Sequence, residues 1–369
     1  MHWDDMTAGG AWLVSRYADV SSALRDPRLS ADRSFAYRLF LPPDADAQRL
    51  GDTIAGFLVF KDPPEHTRLR ALVNKAFTPR ALESLRSRIE GLVDSMLDRA
   101  VHDGKLQLIR DFAYPLPVTV ISDMLGVPRE DTDMLKPWVD DLAMFFGVIK
   151  GMKRAIASAR RIEAYMNDLI AERRARPRDD MLTALTTVEV DGERLTDTEV
   201  FRIVSFLFLA GHHTTMNLIG NGTLALLRHP AEIERLRAEP SMVVTGVEEM
   251  LRYDSPVQAV GRVAKEDLEI GGVKIESGKL VLLMVAGANR DAAQFSEPDR
   301  FDVGRTPNRH VSFAGGAHFC VGAPLSRLEA RIVFEKLLAR FRRIELEGPA
   351  DWIPNVNLRG VKELTLRVS

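Results

Sequence analysis

The only cysteine of the chain, Cys320, lies in a glycine-rich segment, Phe313-Ala-Gly-Gly-Ala-His-Phe-Cys-Val-Gly322. Apolar residues at helical spacing follow it, at Leu325, Leu328 and Ile332, which predicts an amphipathic helix. Backbone N–H groups at a helix N-terminus stabilise a thiolate, and a thiolate is a metal ligand. One cysteine without a histidine cluster disfavours a structural zinc site and an iron–sulfur cluster. An axial thiolate on haem and a buried, purely structural cysteine both remain open.

Two pairs of charged residues have the spacing of partners on one helical face. His66 and Arg70 lie four residues apart, as two donors to one carboxylate would. Glu249 and Arg252 lie three apart and are expected to pair with each other. Taken singly, such residues are also typical of an exposed, solvated surface.

The segment Ala210-Gly-His-His-Thr-Thr215 falls in the middle of a long predicted helix. Gly211 would let the helix open beside a ligand, and the Thr214 hydroxyl can hydrogen-bond a ligand or a water. His213 has a side chain that titrates near neutral pH, so it can carry a proton. Polar and small residues in a row here indicate a functional segment, because they are poor helix formers.

Taken together, these residues resemble the motifs of the cytochrome P450 family. The cysteine segment is similar to the family's haem-binding signature, Phe-x-x-Gly-x-His/Arg-x-Cys-x-Gly, with matches at Phe313, Gly316, His318, Cys320 and Gly322. Ala314 stands where many bacterial members have glycine, which we expect to crowd the loop slightly without threatening ligation. The similarity in order and spacing covers essentially the whole chain.

The resemblance implies haem b as the cofactor and Cys320 as the ligand of its iron. It also implies four donors at the haem propionates, namely His66, Arg70, Arg262 and His318. The full set of predicted cofactor-binding residues is His66, Arg70, Ala210, Gly211, Arg262, Phe313, Ala314, Gly316, His318, Cys320 and Gly322.

Residues 210–215 resemble the family's oxygen-binding segment, Ala-Gly-x-Glu/Asp-Thr-Thr, which predicts Thr214 and His213 as catalytic residues. The departure is at His213, which occupies the position of the usual acidic residue. Our hypothesis is that His213 keeps a modified proton relay. The alternative is that it hydrogen-bonds within the helix while water reaches the iron by another route.

Glu249 and Arg252 resemble the family's Glu-x-x-Arg motif, which joins a later arginine in a buried network. That third member is expected within residues 308–310, just before the cysteine segment. The resemblance implies a scaffold role for this network and no chemistry.

The elements that must position these residues are mainly helical. Apolar spacing predicts one helix over residues 78–103, and a capping box at 196–199 predicts another over about 197–228. Residues 268–275 and 279–286 are β-type segments and predict a small sheet. The predicted fold is mainly α with a small β region, a cytochrome P450 fold of one domain over residues 1–369, with the long helix over a b-type haem.

The composition limits the binding partners and the cellular location that we expect. With 50 basic and 52 acidic residues, the chain has no global field that would indicate nucleic acid or an anionic membrane. Its apolar runs are too short to span a bilayer, and one cysteine cannot form an internal disulfide. We therefore expect a cytoplasmic monomer without a membrane anchor.

The predicted activity is insertion of one oxygen atom of O2 into a hydrophobic small molecule, such as a secondary metabolite. No flavin or nicotinamide fingerprint is present, so electrons are expected from a separate ferredoxin or flavodoxin with its reductase. A basic docking patch, or equally an ordinary solvated surface, is formed by Arg70, Lys75, Arg80, Arg327 and Arg331. Two alternatives remain: haem-thiolate coupling or peroxide-driven oxidation without net oxygen insertion, and a non-catalytic haem sensor.

Overall fold

In a computed structural model, the chain is described at residues 1–5, 10–34, 41, 42, 44–148 and 151–369, with the backbone alone at 79–81, 103 and 143–148. Helices make up most of this part of the chain, as predicted. They are α1 (Tyr17–Ala23), α2 (Ala45–Ala55), α3 (Glu65–Ala76), α4 (Pro79–Ser84), α5 (Arg86–Asp103), α6 (Pro115–Leu125), α7 (Arg129–Val148), α8 (Met152–Ala175), α9 (Met181–Thr187), α10 (Asp197–Arg228), α11 (Pro230–Ala238), α12 (Val243–Tyr253), α13 (Val285–Ala288) and α14 (Ala323–Arg340).

The strands are short and form small sheets. They are β1 (His2–Asp4), β2 (Ala11–Val14), β3 (Leu29–Ser30), β4 (Lys105–Gln107), β5 (Glu189–Val190), β6 (Glu193–Arg194), β7 (Val260–Ala264), β8 (Leu268–Ile270), β9 (Val273–Ile275), β10 (Leu280–Leu283), β11 (Ile344–Leu346), β12 (Asp351–Trp352), β13 (Val361–Glu363) and β14 (Thr365–Val368). The largest sheet has the order β1-β2-β10-β7-β3, and a second has the order β11-β14-β4. The predicted small β region is therefore confirmed.

Contacts divide the described chain into two compact units. Unit 1 contains Met1–Leu29, Arg86–Pro117 and His213–Ser369, and unit 2 contains Ser30–Leu85 and Val118–His212. Both units draw on separate stretches of the chain, because the chain crosses between them several times. The single domain over residues 1–369 stays a prediction.

Strand β10 is the centre of the large sheet in unit 1. It pairs in parallel with β2, with Val281 opposite Trp12, and antiparallel with β7, where Val281 is opposite Arg262. Val281 and Leu283 are fully buried in a core of aliphatic side chains. Burial of each such side chain contributes about 1.5–3 kcal/mol, and this contribution fixes the register that places Arg262 on its strand.

The Glu249 carboxylate organises a second part of unit 1. Glu249 is fully buried on α12 and accepts hydrogen bonds from Arg252 at 2.7 and 2.8 Å and from Arg305 at 3.1 and 3.2 Å. The amide of Asn308 donates to the same carboxylate at 3.1 Å. The pairing of Glu249 with Arg252 is confirmed, but the expected position of the third member is wrong for the arginine, which is Arg305. A buried carboxylate pairs with the guanidinium that the following loop brings close to it. Sequence spacing alone does not define the conformation of that loop.

Unit 2 contains the long α7–α8 pair and a buried cation of its own. Arg173 on α8 is fully buried; its Nε donates to Asp180 and its Nη2 to the Gly126 carbonyl, both at 2.5 Å. The Asp180 carboxylate also accepts from the Thr183 N–H at 2.8 Å and so caps α9. One ion pair thereby holds the end of α8 against the start of α9.

The long helix α10 begins and ends where the sequence predicts. At its start, Glu199 accepts from the Thr196 N–H at 2.9 Å, and the Glu199 N–H donates to the Thr196 hydroxyl at 3.2 Å, which is the predicted capping box. The turn before it, Asp191-Gly192, has positive φ at both residues, as a two-residue hairpin requires.

The helix predicted over residues 78–103 is two helices, α4 and α5, which meet at Leu85. The periodicity of apolar residues continues across the junction, so the pattern alone does not show the break. Separately, no helix within the described ranges is both long and apolar enough to cross a membrane.

Candidate active site

The cysteine loop, residues 313–322, lies in unit 1 directly before α14. Cys320 is exposed, and its N–H donates to the Phe313 carbonyl at 3.0 Å, which closes the loop on itself. Gly322 is the N-cap of α14, and its carbonyl accepts from the Ser326 N–H at 2.9 Å. The predicted helix therefore begins three residues after the cysteine, at Ala323, and its N-terminal N–H groups favour negative charge on sulfur.

Backbone conformation explains the small residues of the loop. Gly316 has a φ of +65°, and a Cβ at this position would lie 2.8 Å from the Leu24 carbonyl oxygen. Ala314 has a φ of 58°, in the left-handed region that favours glycine. The departure from glycine at 314 therefore acts through backbone strain, whereas the sequence predicted slight crowding.

Two of the predicted propionate donors lie in unit 1 and two lie in unit 2. In unit 1, Arg262 on β7 is 3% exposed, and His318 ends the 3-10 turn Gly316–His318. In unit 2, His66 and Arg70 both lie on α3, four residues apart, with His66 2% exposed. A buried cationic side chain needs an anionic or polar partner, so Arg262 and its counterparts suit the recognition of carboxylates.

The middle of α10 carries the second predicted group of site residues. Ala210 and Gly211 belong to unit 2, and a Cβ at Gly211 would lie 3.3 Å from Ile121, so this glycine permits close packing within a continuous helix. His212 is 1% exposed, and its Nδ1 lies 2.9 Å from the Phe208 carbonyl oxygen. His212 therefore packs inside unit 2.

In unit 1, His213 and Thr214 are half-buried on α10. The ring of Tyr114 meets the His213 imidazole edge to face, with 6.3 Å between ring centroids. Sequence reasoning missed Tyr114, since nothing in its local sequence distinguishes it from a core aromatic residue. The next hydroxyl on the helix, Thr215, donates to Ser326 on α14 at 3.2 Å and so connects α10 to the helix that follows the cysteine loop.

Glu329 is a buried carboxyl that sequence reasoning missed. It lies on α14, is 1% exposed, and its Oε2 is a buried atom without a hydrogen-bond partner. Desolvation raises the pKa of Glu329 to about 8. The side chain is therefore neutral at neutral pH, which is how unit 1 tolerates a carboxyl among apolar residues.

A comparison with protein families decides the identity of the fold. The family model described as Cytochrome P450 matches residues 40–358. The chain belongs to the cytochrome P450 family. The predicted family, the mainly α fold and the enzyme class are thus confirmed, and the protein is a monooxygenase with haem b as its cofactor.

Individual relatives agree with this assignment. The chain is 42% identical to cytochrome P450 107B1 of Saccharopolyspora erythraea over 97% of this chain and 89% of the relative. It is also 42% identical to vitamin D(3) 25-hydroxylase of Pseudonocardia autotrophica, over 90% and 80%. The crystal structure of P450BioI in complex with acyl carrier protein carrying hexadec-9Z-enoic acid matches with a TM-score of 0.91 and 37% identity, over 97% and 92%. As a P450, this protein acts on a small molecule with O2 and a redox partner.

The residues present fit haem b. Cys320 supplies a thiol at a helix N-terminus, and a Cβ at Gly322 would lie in ordinary van der Waals contact with its sulfur, at 3.9 Å. Within unit 1, Arg262 and His318 are cationic or neutral donors, which is the chemistry that haem propionates require.

Ala314→Gly is expected to stabilise the protein by about 1 kcal/mol, because it removes a left-handed alanine from the cysteine loop. Ala317→Gly in the same loop is the matched control, and it should destabilise slightly, because residue 317 has no positive φ. Urea unfolding of the holoprotein measures both changes. Equal destabilisation by the two substitutions would contradict the strain at Ala314.

The Glu329 carboxyl predicts a pH-dependent stability difference between wild type and Glu329→Gln. Because burial raises the folded pKa to about 8 above the unfolded value of 4.5, folding is penalised progressively as pH rises from about 4.5 to 8. The variant, which carries no ionisable group there, gains stability relative to wild type by about 1.4 kcal/mol per pH unit in this window. Urea unfolding at a series of pH values measures the difference, and a constant difference would contradict a buried neutral carboxyl.

Proposed function

We propose that this protein is a haem-thiolate monooxygenase that inserts one oxygen atom of O2 into an apolar small molecule, with Cys320 as the ligand of the haem iron. The observation that carries the proposal is the closed loop from Phe313 to Gly322, which presents an exposed cysteine at the N-terminus of α14. Family membership supplies the cofactor, and this loop supplies the only thiol of the chain.

Each predicted cofactor residue has a task in this proposal. In unit 1, Arg262 and His318 would bind propionate as charged or polar donors, and in unit 2 His66 and Arg70 are predicted donors of the same kind. The loop from Phe313 to Gly322 would hold the sulfur. When bound, the haem iron supplies the activation of O2 and the transfer of one oxygen atom.

Thr214 and His213 are proposed to take part in proton delivery during the reaction. The Thr214 hydroxyl would orient a water or O2 by a hydrogen bond, and the His213 imidazole would deliver a proton at neutral pH. The Tyr114 ring lies edge to face with the His213 imidazole, with 6.3 Å between the ring centroids.

An apolar substrate is supported by the named functions of two relatives. One is named as a hydroxylase of vitamin D(3), and another was solved with an acyl carrier protein that bears a hexadecenoic acid. Phe57 and Leu58 are apolar side chains buried in unit 2, where the Phe57 and Phe206 ring centroids lie 5.3 Å apart.

A ferredoxin or flavodoxin with its reductase is the proposed electron source. Both are acidic carriers, so basic side chains on the protein surface would bind them. Lys75 is exposed on α3, with its Nζ donating to the Glu189 carbonyl at 2.8 Å, and Arg70 is half-buried beside Asn74. The side chain of residue 80 lies outside the described part. Arg327 is bound by Glu248 and contributes less free charge to such a patch.

Oxidation driven by peroxide is the second candidate function. The observation that favours it is His213 at the position where the family has an acid, because an altered proton supply changes how efficiently O2 is used. Peroxide-supported turnover that exceeds turnover with a redox partner would favour this candidate.

The first test is the absorption spectrum of the reduced protein under carbon monoxide. Wild type is expected to show the strongly red-shifted Soret band of a thiolate-ligated haem, because a thiolate donates electron density to the iron. Cys320→Ser should lose that band, and Ala317→Ser, a small substitution in the same loop, should keep it. A shifted band that survives in Cys320→Ser would remove the proposed ligand.

His213→Ala is expected to lower the oxygenation rate by about 100-fold, the usual contribution of a positioned acid, and to lower product formed per electron consumed. His213→Asp restores the family's acid and should recover most of the loss. Product and reductant are measured together by chromatography and absorbance. If His213→Ala forms as much product per electron as wild type does, His213 has no part in proton delivery.

A further inference from the structure

Glu248, next to the scaffold carboxylate Glu249 on α12, binds two side chains that flank the cysteine loop. Arg327 on α14 donates to both carboxylate oxygens of Glu248, from Nε at 2.7 Å and from Nη2 at 2.8 Å. The His310 Nε2 lies 3.0 Å from the same carboxylate. Since the Ser312 N–H donates to the His310 Nδ1 at 3.2 Å, the Nε2 carries the proton and donates to Glu248.

These contacts converge on the Phe313 ring, the first side chain of the loop. The Arg327 guanidinium carbon lies 4.5 Å from the Phe313 ring centroid, a cation–π distance. The His310 and Phe319 rings lie 6.1 and 6.4 Å from the same ring. Phe313 is therefore bounded by three side chains, two of which Glu248 holds directly.

Phe313 transmits its position to the cysteine through its own backbone. Its carbonyl accepts the Cys320 N–H at 3.0 Å, so a shift of the Phe313 backbone moves the amide that precedes the thiol. The neighbouring backbone is fixed as well, because the buried Asn289 side chain accepts from the Val311 N–H at 2.9 Å and donates to the Ser312 hydroxyl at 2.8 Å. Glu248 thus acts on a loop with few other degrees of freedom.

We propose that Glu248 is a positioning residue for the thiolate ligand, acting through Arg327 and His310 on Phe313 and through Phe313 on Cys320. This inference rests on the proposed function, because it takes Cys320 as the iron ligand. Glu248 touches neither substrate nor iron in this scheme. Its effect is to hold the loop and to balance the charge of Arg327.

The charge of Glu248 determines the direction in which the haem midpoint potential changes when the carboxylate is removed. Burial would raise the pKa of Glu248, but hydrogen bonds from Arg327 and His310 lower it to about 2, so the pair is fully ionised at neutral pH and close to neutral overall. Removal of the carboxylate charge leaves the Arg327 cation uncompensated beside the cysteine loop. An added positive charge stabilises the more negative reduced state of the haem and raises its midpoint potential.

The test uses three variants of the holoprotein. Glu248→Gln removes the charge and keeps the shape. Arg327→Lys keeps the charge but loses the planar, two-point contact with Glu248 and the stacking on Phe313. Glu232→Gln is the matched control, because Glu232 is a buried carboxylate that also accepts two bonds from an arginine, Arg235, and it accepts a further bond from the Val303 N–H instead of from a side chain in contact with Phe313.

The readouts are the midpoint potential and the fraction of the carbon monoxide complex that shows the thiolate-type Soret band. In Glu248→Gln the potential is expected to rise, by up to about a tenfold change in the reduction equilibrium constant, or about 59 mV. The thiolate-type fraction should fall in Glu248→Gln and in Arg327→Lys, which keeps the test open if Glu248→Gln fails to bind haem. Glu232→Gln should lose stability and keep both spectroscopic values.

Wild-type values in both Glu248→Gln and Arg327→Lys would overturn the positioning role. Equal shifts in Glu232→Gln would also overturn it, because they would reflect general loosening of the fold. Failure of the proposed function itself is recognised separately, in the wild-type background, when Cys320→Ser retains the shifted band.

Discussion

The cost of burying charge is the constraint on which the rest of unit 1 depends. Glu249 is fully buried, and an ion in that position is tolerated only with several hydrogen-bonding partners. Its partners come from α12 itself and from the loop that contains Arg305 and Asn308, so one carboxylate fixes a stretch of backbone that has no regular secondary structure. That stretch leads directly to the cysteine loop, and the geometry of the loop therefore depends on the Glu249 network.

Two adjacent carboxylates on α12 stabilise two neighbouring parts of unit 1. Glu249 points into the buried network, whereas Glu248 binds Arg327 and His310 next to Phe313. Adjacent residues on a helix point about 100° apart, so Glu248 and Glu249 on one short helix contact different groups of side chains. In the cysteine loop itself, the positive φ of Ala314 is a strained conformation that the surrounding contacts must maintain, whereas Gly316 adopts its positive φ without strain.

Two ionisable side chains of unit 1 have different surroundings. Glu329 is neutral because burial desolvates its carboxyl. His213 is half-buried and in contact with the Tyr114 ring. An imidazole can carry a proton near neutral pH, which is the role proposed for His213.

Local patterns in the sequence determined the family, the elements and most candidate residues of this protein. The signature around Cys320, the capping box at Thr196 and the Asp191-Gly192 turn depend on contacts between residues close in sequence, which spacing shows directly. The break at Leu85, the choice of Arg305 as the partner of Glu249 and the contacts of Glu248, Tyr114 and Glu329 were decided by tertiary structure alone. The physical reason is that burial and the partners of a charged group are set by segments distant in sequence, and no local pattern specifies which of them will meet.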